Sequence, residues 1–330
     1  MRNNDAIHLG LMLLAFAAAY LVPFELLLLA YVVLGPAHYF TEISWLHDRS
    51  YYLPHRGIAV ALAIVAVGAA LIDNAYWFGF AMWGALVVCA MLAATTSAVE
   101  SMLLFMAAIA LSAIMYWSGS SLAVLGILLP TLVHVSLFTL IFMVLGAYRS
   151  GSRMQAALVV VYLVAVATIL LLPPTAEIRI ASFARVAQDY FGNVGPALSR
   201  LFGVPGLVLD TRLTSLLAFV YTYHYLNWFI KADVIRWAEV PKARLAAMVA
   251  ASAASTALYF YDYAFGFTFL LALSLIHVLL EFPLNSLALR QLGAAVQSGA
   301  RAWAAERTAT AAPRSRPGSS TASRRAKQSR

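Results

Sequence analysis

Apolar runs recur along this chain from Ile7 to Leu287 with only short polar breaks between them. A soluble protein carries roughly 25% charged residues to clothe its exterior. Here charged residues make up 11% of the chain and hydrophobic residues 63%. The apolar surface must therefore face lipid as well as a packed interior. Water-soluble enzymes, secreted disulfide scaffolds and nucleic-acid-binding domains are excluded as the main reading, and nucleic acid is not expected as a partner. The single cysteine, Cys89, falls inside an apolar run and reads as a small buried apolar side chain.

The formal net charge of +8 belongs to the C-terminus. Residues 301–330 hold eight Arg or Lys and one acid, Glu306, while the first 300 residues are close to neutral. From Ala311 onward nothing is large and apolar enough to build a core. Residues 291–330 therefore read as a basic, disordered cytoplasmic tail whose partner is an anionic lipid surface beside the last span.

Cutting the apolar runs at charged and turn residues gives ten expected helices, at 7–22, 25–45, 57–73, 76–94, 101–117, 122–147, 154–172, 213–231, 245–261 and 266–285. Each is close to the ~20 residues that cross a bilayer. The fold class expected for residues 1–290 is an all-α, polytopic membrane bundle of about ten transmembrane helices. The first run has the charge and length of a signal peptide, but Pro23-Phe24-Glu25 reads better as a tight hairpin into the second span. With ten spans, 18 of the basic residues fall on the side of the two termini and only Arg179, Arg185, Arg200 and Arg212 on the other. That bias places both termini in the cytoplasm and the chain in the cell (inner) membrane. The outer loop, 173–212, spaces Phe183, Val186 and Tyr190, then Leu198, Leu201 and Phe202, as short amphipathic helices at the headgroups would.

Polar side chains at mid-membrane are costly, so their presence asks for a reason. His8, His47 and His55 fall near span ends, where an imidazole reaches water. His38, His134, His224 and His277 lie inside spans two, six, eight and ten, which all run in the same direction. Measured from the span midpoints, the four fall within a layer roughly 5 Å thick at 1.5 Å rise per residue. Glu42 follows His38 by four residues and Glu281 follows His277 by four, so each pair shares a helical face. Asn227 and Asn285 add polar groups at similar depth. Imidazole and carboxylate suit Fe, Zn, Mn or Cu. A four-histidine iron site, a two-metal site using both glutamates, and bis-histidine haem all fit this pattern, as does a structural polar network. Tyr221, Tyr225 and Trp228 surround His224 in sequence, either as packing or as the wall of a pocket for a long apolar substrate.

Other chemistries are missing. The chain has no HxxxH or HxxHH cluster, no DxxxD pair on a span end, no lysine in a span interior, no glycine-rich phosphate loop and no G-x-S-x-G.

Gly35-Pro36-Ala37-His38, followed by Glu42, resembles the G-x-P-H-G-x-x-D signature on an early span of the Brp/Blh family of membrane β-carotene dioxygenase-like proteins. The resemblance covers about fifteen residues. It implies a polytopic fold, a histidine-ligated iron, and His38 as one ligand with the other buried histidines as partners. This chain departs from the signature at Ala37, at Tyr39 and in having Glu42 for an aspartate, and it has Val220 and Trp228 one turn either side of His224 where the family pairs two histidines. The shared feature is the metal chemistry more than the substrate.

The expectation is an integral-membrane, non-haem iron oxidoreductase or oxygenase, with Fe(II) as the leading cofactor and Zn or haem as alternatives. Its substrate would be a lipid-soluble small molecule, carotenoid- or isoprenoid-like. In that role His38, His134, His224 and His277 bind the metal, and Glu42 and Glu281 orient imidazoles or complete a second metal site. The alternative from another class is a transporter or proton pathway through the same His and Glu residues.

Overall fold

The computed structural model describes residues 2–72, 75–94, 99, 102–103, 106–107, 110, 129–175, 211–231 and 235–311. Among these residues all regular structure is helical. The chain divides into two compact units, 1–290 and 291–330.

In the first unit, α1 (Arg2–Leu21) is followed by a 25-residue rod over Pro23–His47. The rod consists of α2 (Pro23–Leu29), a π-helical stretch (Ala30–Leu34) and α3 (Gly35–His47). Next come α4 (Arg56–Leu71) and α5 (Ala75–Ala94). A second π-helical stretch, Leu129–Phe138, leads into α6 (Thr139–Ser150). Gly151 ends α6 in the left-handed region at φ 62°, and the Ser152 hydroxyl caps α7 (Arg153–Leu171) by accepting the Gln155 N–H. The remaining helices are α8 (Thr211–Ile230), α9 (Lys242–Tyr261) and α10, which starts at Tyr263 and runs unbroken to Ala311.

Five helices are long and apolar enough to cross a membrane: Pro23–His47, Leu132–Ser150, Arg153–Leu171, Lys242–Tyr261 and Tyr263–Gly299. Their apolar side chains face outward as well as inward. In the most apolar stretch of α7 only 22% of residues are buried, and Val160, Val164 and Leu171 stand open. Such a surface suits hydrocarbon and not water.

Among the described residues, length and apolarity identify five crossings and leave the expected count of ten unconfirmed. Shorter apolar stretches lie over Asp5–Leu21, Arg56–Leu71 and Trp77–Leu92. The expected span 101–117 lies mostly outside the described residues, as does the first part of 122–147. Finally, α8 is too polar, because it is wrapped by protein instead of lipid. Eleven of its residues are buried, among them Thr214, Ser215, Thr222, His224 and Asn227. The expected amphipathic loop at 173–212 also falls almost wholly outside the described residues. The tail expectation needs correction: residues 291–311 continue α10 as helix, driven by an alanine-rich composition of high helix propensity.

Two apolar clusters flank the middle of the first unit. One joins Trp45 and Leu46 of α3, Leu62 of α4, Phe78 and Met82 of α5, and Leu275 and Leu279 of α10. The other joins Met12 of α1, Val135, Tyr162 of α7, and Phe219 and Tyr223 of α8. Each cluster draws on two of the four histidine-bearing helices, so the histidines sit on the seam between the clusters.

Prolines distort these helices and free backbone carbonyls. Pro36 has no N–H for the Val32 carbonyl four residues earlier, and the Thr256 hydroxyl of α9 donates to that oxygen at 2.8 Å. Pro283 leaves the Leu279 carbonyl free in the same way, and the Cys89 thiol of α5 donates to it at 3.9 Å.

Candidate metal centre

His38 stands on α3, His134 in the second π-helical stretch, His224 on α8 and His277 on α10. All four side chains are buried. Their rings close into a quadrilateral. Ring centres lie 4.8 Å apart for His38 and His224, 5.2 Å for His224 and His134, 5.2 Å for His134 and His277, and 5.3 Å for His277 and His38. The shared depth read from the sequence therefore becomes direct contact.

These spacings match one ion shared between imidazoles. A metal–nitrogen bond of about 2.0–2.1 Å puts each ring centre roughly 3.2 Å from the ion, so ligands about 90–110° apart have ring centres roughly 4.5–5.2 Å apart. The facing nitrogens agree: His38 Nε2 and His224 Nε2 are 3.2 Å apart. Glu42 Oε2 lies 2.8 Å from His38 Nε2, and Glu281 Oε2 lies 3.1 Å from His134 Nε2. Two overlapping groups can hold a metal ion: His38, His224 and His277, and His134, His277 and Glu281. Their ligand atoms lie within 4.8 Å of one another in each group.

Hydrogen bonding alone leaves this cluster unsatisfied. Seven buried polar atoms make no hydrogen bond: His38 Nδ1, His134 Nε2, both ring nitrogens of His277, Glu42 Oε2, Glu281 Oε2 and Asn285 Oδ1. Three of them, Glu42 Oε2, His134 Nε2 and Glu281 Oε2, nevertheless sit at the short distances just given, so those contacts are close but out of line for a hydrogen bond. Each buried group left in that state costs about 1–3 kcal/mol. Co-ligands of a common ion have this relation to one another, so the donor set fits a metal.

Other groups hold the outward nitrogens. Thr139 Oγ1 meets His224 Nδ1 at 2.8 Å, and Asn285 Nδ2 lies 3.4 Å from His134 Nδ1. Such partners fix ring orientation and tautomer around metals. Both glutamates, expected to orient imidazoles or to complete a second metal site, approach the inward Nε2 atoms. Glu281 also turns to His134 on another helix instead of to His277 on its own. Asn227 is buried on α8. His47 is about half exposed beside Asp48, as its position at a span end predicts.

Aromatic side chains enclose the cluster. Tyr225 packs against His38 at 4.8 Å between ring centres, and Trp228 meets it edge-on at 5.5 Å. Tyr221 stands one layer further out, against Tyr225.

Sequence reasoning missed three contributors. Tyr39 stacks on His277 with ring centres 4.2 Å apart, and its hydroxyl shares a 2.7 Å hydrogen bond with Tyr225. Gly35 makes room for it, because a Cβ there would come within 3.0 Å of the Tyr39 hydroxyl. Thr139 gave no signal, since a threonine in a span is ordinary. Lys231, at the end of α8, acts electrostatically on both Glu42 and Glu281. It follows His224 by seven residues, two helical turns, and that spacing was the available clue.

Compared with known proteins, the chain matches no family model, no curated protein and no solved structure.

Proposed function

We propose that this protein is an integral-membrane, metal-dependent oxidoreductase, with non-haem iron as the metal and an apolar, membrane-dissolved substrate of carotenoid or isoprenoid type. One observation carries the proposal: four imidazoles and two carboxylates from four helical segments converge in a buried cluster in which His134 Nε2, both ring nitrogens of His277, Glu42 Oε2 and Glu281 Oε2 lack hydrogen-bond partners. A bundle held together by polar contacts alone would pair those atoms. The Gly35-Pro36-Ala37-His38 resemblance supports iron and oxygen chemistry on apolar polyenes. The charge asymmetry supports ten spans with both termini cytoplasmic, and the basic end of the chain supports contact with anionic lipid.

In this role His38, His134, His224 and His277 hold the metal, with Glu42 and Glu281 completing its surroundings or a second site. A bound iron would supply oxygen activation. The chain's own part is to exclude water, and the aromatic wall of Tyr225, Trp228 and Tyr39 does so. A centre at this depth is reached laterally by lipid-soluble molecules.

The test is metal analysis of protein purified without chelators, beside four single His→Ala variants. Near-stoichiometric iron, lost in each of the four and kept in His8→Ala and His55→Ala, is the expected result. Protein that binds no transition metal under any loading condition refutes an enzyme of this kind. The second reading is a proton or ion pathway, favoured by Lys231, which extends the Glu42–Glu281 charges toward the end of α8. A pH gradient dissipated by reconstituted protein, and abolished in Glu42→Gln, would establish it instead.

A further inference from the structure

A second, separate pocket opens beside the metal centre, at the ends of α3 and α9 that the charge bias assigns to the cytoplasm. It has a volume of about 550 Å³, within the range of small-molecule sites. Thr41, Ser44, Trp45 and Asp48 line one wall at i, i+3, i+4 and i+7, a single stripe of α3. Trp237 and Met248 face it across the cavity.

Three arginines and two acids reach into this space: Arg49, Arg236 and Arg244 against Asp48 and Glu239. Arg244 is taken by Asp48 at 2.6 Å, and Arg236 by Glu239 at 3.4 Å. Arg49 lies 3.8 Å over the Trp45 ring and donates to the Trp45 carbonyl, and its contacts among the described residues include no carboxylate. Among the described residues that line the pocket, Arg49 is therefore the one guanidinium without a carboxylate partner, and a guanidinium is the group best shaped for a carboxylate. The backbone on both sides is held in unusual conformations, with Ser50, Tyr51, Tyr52 and Arg236 all at left-handed φ of 50–57°.

The pocket shares a wall with the metal centre. Trp228 donates its indole N–H to Thr41 at 3.1 Å, stands edge-on to Trp45 at 5.5 Å and edge-on to His38 at 5.5 Å. From His38 to Trp45 is seven residues along α3, roughly 10 Å of rise.

We propose that this pocket is a head-group site for a singly charged, carboxylate-headed amphiphile, anchored by Arg49 with its apolar tail directed past Trp45 and Trp228. The site stands on its own geometry. Its use as the substrate's anchor rests on the metal-enzyme role proposed above and narrows that membrane-dissolved substrate to one with a carboxylate head, its reacting part roughly 10 Å from the head.

A long-chain fatty acid brominated on its tail is the probe, because bromine in contact quenches tryptophan, and Trp45 and Trp237 line the site. With the full chain in detergent, saturable quenching is expected, and the methyl ester of the same acid should give only weak, non-saturating quenching. Arg49→Gln should weaken binding at least tenfold, and Arg49→Lys should recover most of it. Equal binding of acid and ester overturns the proposal, and that comparison uses the unmodified protein and stands even if Arg49→Gln fails to fold. Binding unchanged in a folded Arg49→Gln overturns it too. Saturable quenching by brominated phosphatidylglycerol at equal or higher affinity would assign the pocket to a bilayer lipid and also overturn it. Metal content separates this proposal from the last: fatty-acid binding by protein that takes up no metal leaves the head-group site and removes the enzyme, and metal without such binding does the reverse.

Discussion

Thr139→Val tests whether the histidine cluster is built as a metal site with oriented ligands. Thr139 is buried, and its hydroxyl meets the outward nitrogen of His224 at 2.8 Å. Valine has nearly the same shape, so packing changes little while the hydrogen bond is lost. The His224 Nδ1 atom is then left buried and unpaired, at a cost of about 1–3 kcal/mol. At 1.4 kcal/mol per tenfold, that corresponds to roughly 5- to 150-fold in any equilibrium that depends on ring orientation. Loss of partners that orient metal-binding histidines costs about 10–100-fold in affinity. The assay is competition between the purified protein and a chelator of known affinity. Thr139→Val should bind metal about 10–100-fold more weakly yet reach full stoichiometry at saturating metal, and Thr139→Ser should stay close to the unmodified protein. Affinity within twofold for Thr139→Val would refute an orienting role for Thr139. Loss of stoichiometry in Thr139→Ser as well would show that packing, not the hydrogen bond, is what matters.

Thr256→Val removes the donor to the Val32 carbonyl that Pro36 leaves free, and should lower stability by about 1–3 kcal/mol in a denaturant titration. Gly266→Ala should destabilise by at least about 1–3 kcal/mol in the same assay, because its Cβ would fall 2.4 Å from the Tyr259 Cα, and backbone cannot swing aside. Asp48 lies outside the membrane-crossing segments, and the hydrogen bond from Arg244 holds its carboxyl below the ordinary value of 3.8. A depressed carboxylate contributes stability above its ordinary value and loses it as pH falls through the lowered one. Arg244→Gln should therefore bring the Asp48 titration, followed by carboxyl NMR, up toward 3.8, while stability at neutral pH shifts by less than about 1 kcal/mol because the pair is solvent-screened.

The histidine cluster was legible in the sequence because imidazole in an apolar span is an anomaly, and depth along a span can be counted. His38, His134, His224 and His277 needed no more than that. The i, i+4 relation of His38 and Glu42 was legible for the same reason, and they lie 2.8 Å apart. What depth cannot supply is azimuth. Glu281 reaches His134 across helices because of how α10 is rotated, and a single-helix pattern pairs it with His277 instead. Thr139 and Tyr39 look like ordinary residues of apolar helices, and their roles arise only from neighbours distant in sequence. Apolar length alone does not show that α8 is wrapped by protein; its buried polar residues, among them Thr214, Ser215, Thr222, His224 and Asn227, do. Helix through 291–311 does not depend on a core, since alanine favours helix without one; the absence of core-forming residues from Ala311 onward says nothing about that stretch.

The distorted helices and the site have a common origin in the sequence. Pro36 lies two residues before His38, Pro130 four before His134, and Pro283 between Glu281 and Asn285. A π-helical stretch ends just before Gly35-Pro36 and another contains Pro130 and His134. Widening a helix this way changes the angular phase of every residue beyond it, which can turn a side chain toward a point that a regular helix would miss. The cost is an unpaired carbonyl in a medium without water. At Val32 and Leu279 that cost is offset by Thr256 and Cys89, which lie on α9 and α5, helices that contribute no histidine. The supporting helices therefore do more than fill space: their polar side chains satisfy the carbonyls that aiming the ligand-bearing helices leaves exposed. Cys89, which in the sequence is only a small apolar residue, is one of these supports.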